Sequence, residues 1–75
     1  MCLGIPMKIG EIHGSLAKCE LNGVTRMVDL FLVTDQEPKP GDFVLVHVGY
    51  AIQLIDAHES QKRQELYREM VSGNA

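Results

Sequence analysis

Short apolar runs with a two-residue period fill the first two-thirds of the chain, and turn signals separate them. Residues 7–13 begin as an alternating strand, but the alternation slips at Gly10, which predicts a β-bulge there. Residues 16–21 alternate without a slip, and the face that they are predicted to bury consists of Ala17, Cys19 and Leu21. Asn22-Gly23 follows, and this pair predicts a tight hairpin because both positions tolerate a positive φ.

The remaining strand-like runs lie on either side of a polar loop. Residues 24–33 predict a long strand with one shared face, made of Val24, Val28, Leu30 and Leu32. The loop covers 34–42, and two further strands are predicted at 43–49 and 50–55. About five short strands in a chain of this size predict a mainly β protein, built as a small barrel or a strongly curled sheet.

After Asp56 the pattern becomes helical, and a single helix over residues 57–72 is predicted. Asp56 followed by Glu59 resembles a capping box, and Glu59 with Arg63 forms a favourable pair one turn apart. Gly73 marks the expected end of the helix. We expect few contacts with the barrel, because the apolar stripe is confined to the second half, at Leu66, Tyr67, Met70 and Val71.

Seventy-five residues with 45% hydrophobic and 23% charged content indicate one small soluble domain with a thin core. Within it we expect a β-barrel with an N-terminal arm over residues 1–55, and a helix with a tail over residues 56–75. No apolar run is long enough to span a bilayer, and the N-terminus lacks the basic start and apolar stretch of a signal peptide. We therefore expect a cytoplasmic protein.

Charge and cysteine usage narrow the possible partners and sites. The net charge is −3 and the seven basic residues do not cluster, so nucleic acid is a poor candidate partner. Cys2 and Cys19 are the only cysteines, which favours free thiols over disulfides and is too few for a structural zinc site. Cys19 is predicted to be buried and inert, because it lies on the apolar face of its strand.

Two residues combine ligand chemistry with an unusual position. Met1 is expected to be removed before a side chain as small as that of Cys2, leaving a thiol and an α-amine on one terminal residue; the alternative is a terminal cysteine without a role. His47 lies in the apolar run "VLVHVG" and is expected, from the residues alone, to be a structural histidine with bonded ring nitrogens. His13 and His58 are expected at the surface. A thiolate with an imidazole suits iron, copper or zinc, and two donors would leave such a metal largely open for transfer.

These residues stand in blocks that carry a family resemblance. The start "MCLGIP", the strand "VDLFLV" and the block "GDFVLVHVGYA" resemble the HypC/HupF/HybG family of nickel–iron hydrogenase maturation chaperones. The likeness covers nearly the whole chain, including the C-terminal helix. The resemblance implies a small OB-type β-barrel with an added helix.

The resemblance also implies a function without catalysis. It implies a carrier that binds a HypD-like scaffold protein and the precursor of the hydrogenase large subunit. The carrier helps to deliver an iron that bears cyanide and carbon monoxide, the Fe(CN)2CO unit, and has no permanent cofactor. The family's essential cysteine corresponds to Cys2 and its motif histidine to His47, which are the expected transient iron ligands. The expected partner-binding residues are Cys2, Leu3, Gly4, Ile5, Pro6 and His47.

Two other classes of function compete with the carrier. An OB-type module that binds nucleic acid would need a basic groove and stacking aromatics, and the chain has two Tyr, two Phe and no Trp. A thiol enzyme with Cys2 activated by His47 would need an oxyanion hole and a substrate pocket, for which the sequence offers no candidate. We rank both below the carrier.

Overall fold

The fold is a closed five-stranded barrel with one helix packed outside it, in a computed structural model that describes residues 4–68. The elements, in chain order, are β1 (Ile5–His13), β2 (Leu16–Leu21), β3 (Val24–Asp29), a 3-10 helix (Phe31–Gln36), β4 (Phe43–His47), β5 (Tyr50–Ile55) and α1 (Ala57–Arg68). Strands neighbour one another in the order β1-β2-β3-β5-β4, and all pairs are antiparallel except β3 with β5. This is the order of an OB-type barrel, so the predicted fold class is confirmed.

The turn and bulge predicted from glycines are both present. Asn22 and Gly23 have φ values of 52° and 84° and join β2 to β3, with Leu21 opposite Val24. The pairing of β1 with β2 shifts register between Ile9 and Ile12, which is the bulge predicted at Gly10. A Cβ at Gly10 would lie only 2.9 Å from the backbone oxygen of Lys18, so no larger residue fits without a shift of the backbone.

Side chains of alternate strand residues fill the barrel. The predicted inward face of β2 is confirmed, since Ala17 and Cys19 are both 0% exposed. In β4, Val44 and Val46 point into the core, which leaves the side chains between them on the outer face. The whole core cluster consists of Met7, Ile9, Ala17, Cys19, Val28, Leu30, Val33, Val44, Val46 and Ala51.

The prediction of one strand over 24–33 is wrong in its second half. β3 ends at Asp29, whose carboxylate accepts a hydrogen bond from the backbone N–H of Phe31 at 2.9 Å and starts the 3-10 helix. Leu32 is therefore 55% exposed instead of lying on the face of Val28. An apolar run of this length does not distinguish a strand from a strand followed by a helical turn.

The helix α1 begins as predicted, but its first half contains a buried residue, which the prediction did not expect. The Glu59 backbone N–H donates to the carboxylate of Asp56 at 2.7 Å, and Arg63 donates to Glu59 at 2.8 Å. Ser60, in the half expected to bury almost nothing, is 1% exposed, whereas Leu66 is 55% exposed. The predicted positions Met70, Val71, Ser72 and Gly73, and the side chain of Tyr67, lie outside the described residues.

Helix α1 packs against β1 and β4 on the outside of the barrel. Pro6, Leu45 and Ser60 are buried but are not part of the core cluster, which places them in the layer between barrel and helix. None of the helices in residues 4–68 is long and apolar enough to cross a membrane. The predicted division of the chain between residues 55 and 56 stays a prediction.

Candidate functional site

The barrel brings the two sequence motifs of the resemblance to the same place. β1 pairs with β4 in a register that sets Ile5 opposite Val46 and Pro6 opposite Leu45. Continuing this register by one residue sets Gly4 opposite His47. Since Ile5 and Val46 face the core, Gly4 and His47 lie on the outer side of the barrel. The N-terminal arm therefore leaves the barrel beside His47.

His47 is exposed, so the expectation of a buried structural histidine is wrong. The apolar residues around it belong to two different faces: Val44 and Val46 line the core, and Leu45 lies under α1. His47 is the last residue of β4, lies on the outer face and is exposed. An apolar neighbourhood in the sequence thus does not imply a buried imidazole. His13 and His58 are exposed, as predicted.

Gly4 is buried, and its lack of a side chain has a steric cause. A Cβ at this position would lie 3.0 Å from the Cβ of Leu45, closer than such contacts normally are. Leu45 is itself 5% exposed and has little room to move. Glycine therefore lets the start of β1 lie flat against β4, which fixes where the arm begins.

The turn after His47 carries exposed apolar side chains. Val48 and Gly49 link β4 to β5 with φ values of 52° and 82°, and Val48 is 80% exposed. A positive φ is unfavourable for a β-branched residue, so the turn holds a strained and solvent-exposed valine. Tyr50 lies directly opposite His47 and is 45% exposed. We call His47, Val48 and Tyr50, together with the adjacent Gly4, the His47 surface.

The His47 surface adjoins the end of β3. Asp29 pairs with Tyr50, and the backbone N–H of Asp29 donates to the carbonyl of Gly49 at 2.9 Å. Phe31, which follows Asp29 by two residues, is 70% exposed. Sequence reasoning missed Val48 and Tyr50 as site candidates, although a valine before glycine in a two-residue turn was a readable sign of strain.

Of the two cysteines, only Cys19 lies within the described residues. Cys19 is a free cysteine in the core, and burial raises the pKa of its thiol to about 11, so it is inert as predicted. Cys2 and Leu3 lie outside the described residues. Of the other predicted partner-binding residues, Pro6 is buried beside Gly4 and Ile5 is half-buried. Within residues 4–68, no three His, Cys, Asp or Glu side chains converge on a position that could hold a metal ion.

The sequence similarity to known proteins extends over almost the whole chain. Residues 1–67 match the HupF/HypC family. The chain is 42% identical to the hydrogenase maturation factor HypC of Rhizobium leguminosarum bv. viciae over 76 residues, covering 100% of this chain and 99% of that protein. It is 38% identical to HypC of Escherichia coli K12 over 74 residues, covering 93% and 82% of the two chains.

A second Escherichia coli K12 protein, the hydrogenase maturation factor HybG, is 36% identical over 75 residues, covering 93% of this chain and 92% of that protein. The similarity runs through both the barrel and the helix. The N-terminal motif and the His47 block, which the fold sets side by side, lie within the matched residues. The chain belongs to the HupF/HypC family.

Proposed function

We propose that this protein is a hydrogenase maturation chaperone. It binds a HypD-like scaffold protein and then the precursor of the hydrogenase large subunit, and it helps to deliver the Fe(CN)2CO unit as cargo. The observation that carries this proposal is the position of the arm: the chain leaves the barrel at Gly4, beside the exposed imidazole of His47.

Chain length supports a shared role for Cys2 and His47. Residues opposite each other in an antiparallel ladder have Cα atoms about 4.5–5.5 Å apart. Two further residues extend at most about 7 Å. The thiol of Cys2 can therefore approach the His47 side chain, or enter a pocket of a partner that is docked against the His47 surface.

The chemistry of the two donors supports transfer more than storage. A thiolate and an imidazole both bind iron readily. Two protein donors leave most of the coordination positions of the iron to cyanide, carbon monoxide and groups of the partner. A site of this kind holds its cargo only while a partner completes it, as a carrier requires.

The exposed side chains beside His47 support binding to a protein. Val48 is 80% exposed and Tyr50 is 45% exposed, and both are of types that are commonly buried when two proteins associate. They lie on the side of the barrel from which the arm leaves. A partner seated there covers apolar surface and contacts the arm at the same time.

The test compares the two thiols of the chain. Cys2→Ala is expected to abolish capture of the scaffold protein and of the large-subunit precursor. It should also remove the cyanide and carbonyl infrared bands of protein purified without oxygen, and leave the melting temperature unchanged. Cys19→Ala is the matched control, since it removes one thiol from the core and should retain capture and bands.

A second arm of the test addresses the position of the terminus. One extra residue left ahead of Cys2 should eliminate hydrogenase maturation, whereas the same residue added after Ala75 should not. Retention of capture and infrared bands by Cys2→Ala would contradict the proposal. Unfolding of Cys2→Ala would show that the residue is structural.

A further inference from the structure

One edge of strand β3 is paired with a neighbouring strand only at its last residue, Asp29. Its other edge is fully paired with β2, from Leu21 opposite Val24 to Leu16 opposite Asp29. Towards β5, the described residues show a single pair, Asp29 with Tyr50. The first four residues of β3, 24–27, therefore lack a strand neighbour on that side within the described part of the chain.

The direction of the backbone groups along β3 follows from two hydrogen bonds. The N–H of Leu30 donates towards β2, to Ser15, and the N–H of Asp29 donates towards β5, to Gly49. Because backbone groups of successive strand residues point to opposite edges, the N–H groups of Thr25 and Met27 point to the same edge as that of Asp29. This edge presents strand donors and acceptors with the spacing that another strand would match.

The side chains along this edge are exposed and partly apolar. All four residues of 24–27 are exposed, with Val24 at 49% and Met27 at 53%. On the inner side they border a cavity of about 350 Å³, lined by Ile5, Met7, Leu21, Asn22, Val24 and Arg26. A strand added beside β3 would continue the barrel wall and turn alternate side chains into this cavity.

The charges at this edge favour an acidic occupant. Arg26 is exposed, and its guanidinium donates to the backbone oxygen of Thr25 at 3.1 Å. The ion pairs found in residues 4–68 are His13 with Glu11 and Arg63 with Glu59, so Arg26 has no carboxylate partner there. Lys18 lies opposite Met27, and the nearby Glu20 carboxylate accepts the N–H of Gly23 at 3.1 Å. If two copies of this chain paired these edges in a register centred on Arg26, the two guanidinium groups would face each other.

We propose that the free edge of β3 binds an extended, acidic peptide segment of a protein partner. The segment adds as a strand beside Thr25 and Met27, places a small apolar side chain in the cavity and sets a carboxylate against Arg26. The edge begins next to Gly49, so a partner that docks on the His47 surface can extend into it. The inference rests on the proposed function only for the identity of the partner as a client of maturation.

Amide hydrogen exchange of the free protein, followed by NMR, is the first test. The amides of Arg26 and Val28 bond to β2, whereas those of Thr25 and Met27 face the open edge. We expect the latter two to exchange at least about tenfold faster. Equal protection of all four amides would overturn the proposal, because it would mean that the edge is already covered, either by the chain's own terminus or by a second copy.

The second test uses a designed six-residue strand peptide that alternates Thr and Val around one Glu. At peptide concentrations up to about 1 mM, it should shift and protect the amides of Thr25 and Met27. A peptide with Lys in place of Glu should bind about threefold more weakly. Absence of shifts at these two amides would overturn the proposal.

Two variants of one residue separate backbone pairing from side-chain contact. Met27→Pro removes the edge N–H but no bond to β2, so it should fold and lose the peptide. Met27→Thr keeps the N–H and should bind the peptide. Equal binding by both variants would contradict strand addition. If Met27→Pro does not fold, the amide exchange of the unsubstituted protein decides whether the edge of β3 is open. None of these outcomes depends on Cys2, so they are distinct from failure of the carrier proposal.

Discussion

The inside of the barrel contains buried apolar side chains, whereas the His47 surface contains exposed and strained ones, although both depend on the same two strands. Inside, β1 and β4 contribute fully buried apolar side chains such as Ile9 and Val44. Outside, the same ladder ends in Gly4 and an exposed imidazole, followed by a valine with a φ of 52°. The buried side chains stabilise the fold. The strained backbone of Val48 and the exposed side chains at the outer end of the ladder do not contribute to its stability.

This difference separates residues that stabilise the fold from residues that act in partner binding. A side chain that is buried with apolar neighbours explains why the chain folds. A strained or exposed apolar residue is costly for the isolated chain, and its occurrence beside a ligand-type residue points to a function in a complex. Substitutions should therefore separate into those that change stability and those that change partner binding.

The largest expected effect is the loss of a core side chain. Ile9→Ala removes an aliphatic group that is 1% exposed and belongs to the core cluster. We expect the free energy of unfolding to fall by about 2–5 kcal/mol, from lost burial and from the cavity left behind. Urea denaturation monitored by circular dichroism measures this loss.

The matched substitution on the outer surface is His47→Ala. It removes a side chain of comparable size that is already exposed, so the free energy of unfolding should change by less than about 0.5 kcal/mol. Capture of the scaffold protein should nevertheless fall. A destabilisation by His47→Ala as large as that of Ile9→Ala would break the distinction between inside and surface.

The next effect concerns the buried thiol and depends on pH. Burial raises the pKa of Cys19 to about 11, whereas a thiol in the unfolded chain ionises near 8.5. Between these values the folded state retains a proton that the unfolded state has lost, so stability falls as the pH rises. The effect is absent below about pH 8 and should reach about 2 kcal/mol at pH 10.

Urea denaturation at pH 8 and pH 10 tests this linkage, with Cys19→Ala as the control. Other groups titrate in the same range, and they do so in both proteins. The difference between the two pH slopes therefore isolates the thiol of Cys19. Identical slopes for the two proteins would mean that the thiol is accessible to solvent, against its position in the core.

Local patterns predicted those parts of the fold that local chemistry decides. The Asn22-Gly23 turn, the bulge at Gly10 and the start of α1 at Asp56 each follow from one or two residues with special backbone or capping properties. The inward face of β2 follows from a period of two that has no interruption. These features need no knowledge of the rest of the chain.

Ambiguous apolar runs and long-range packing account for the parts that local patterns did not predict. Leu32 lies in the apolar run 30–33, which fits a strand as well as the 3-10 helix that begins at the hydrogen bond from Phe31 to Asp29. His47 has apolar neighbours in sequence, but the barrel divides them between the core and the helix layer. The partial burial of Tyr50 and the proximity of Gly4 to His47 depend on strand order, which no single segment encodes.

The smallest effect is a gain in stability on the His47 surface. Val48→Asn replaces a β-branched residue at φ 52° with one that tolerates this conformation and suits a two-residue turn before glycine. We expect the free energy of unfolding to rise by about 1 kcal/mol. Capture of the scaffold protein should weaken at the same time, because a side chain that is 80% exposed can contribute apolar contact only to a partner.

The hairpin between β2 and β3 supplies the reciprocal control. Its first turn residue, Asn22, has the same φ of 52°, so Asn22→Val should destabilise the protein by about the amount that Val48→Asn stabilises it. Only stability is compared for Asn22→Val, because Asn22 lines the cavity beside β3 together with Ile5, the residue that follows Gly4. If Val48→Asn stabilised the chain and left capture intact, the strain at Val48 would have no role in partner binding. The His47 surface would then owe its function to the imidazole and the arm alone.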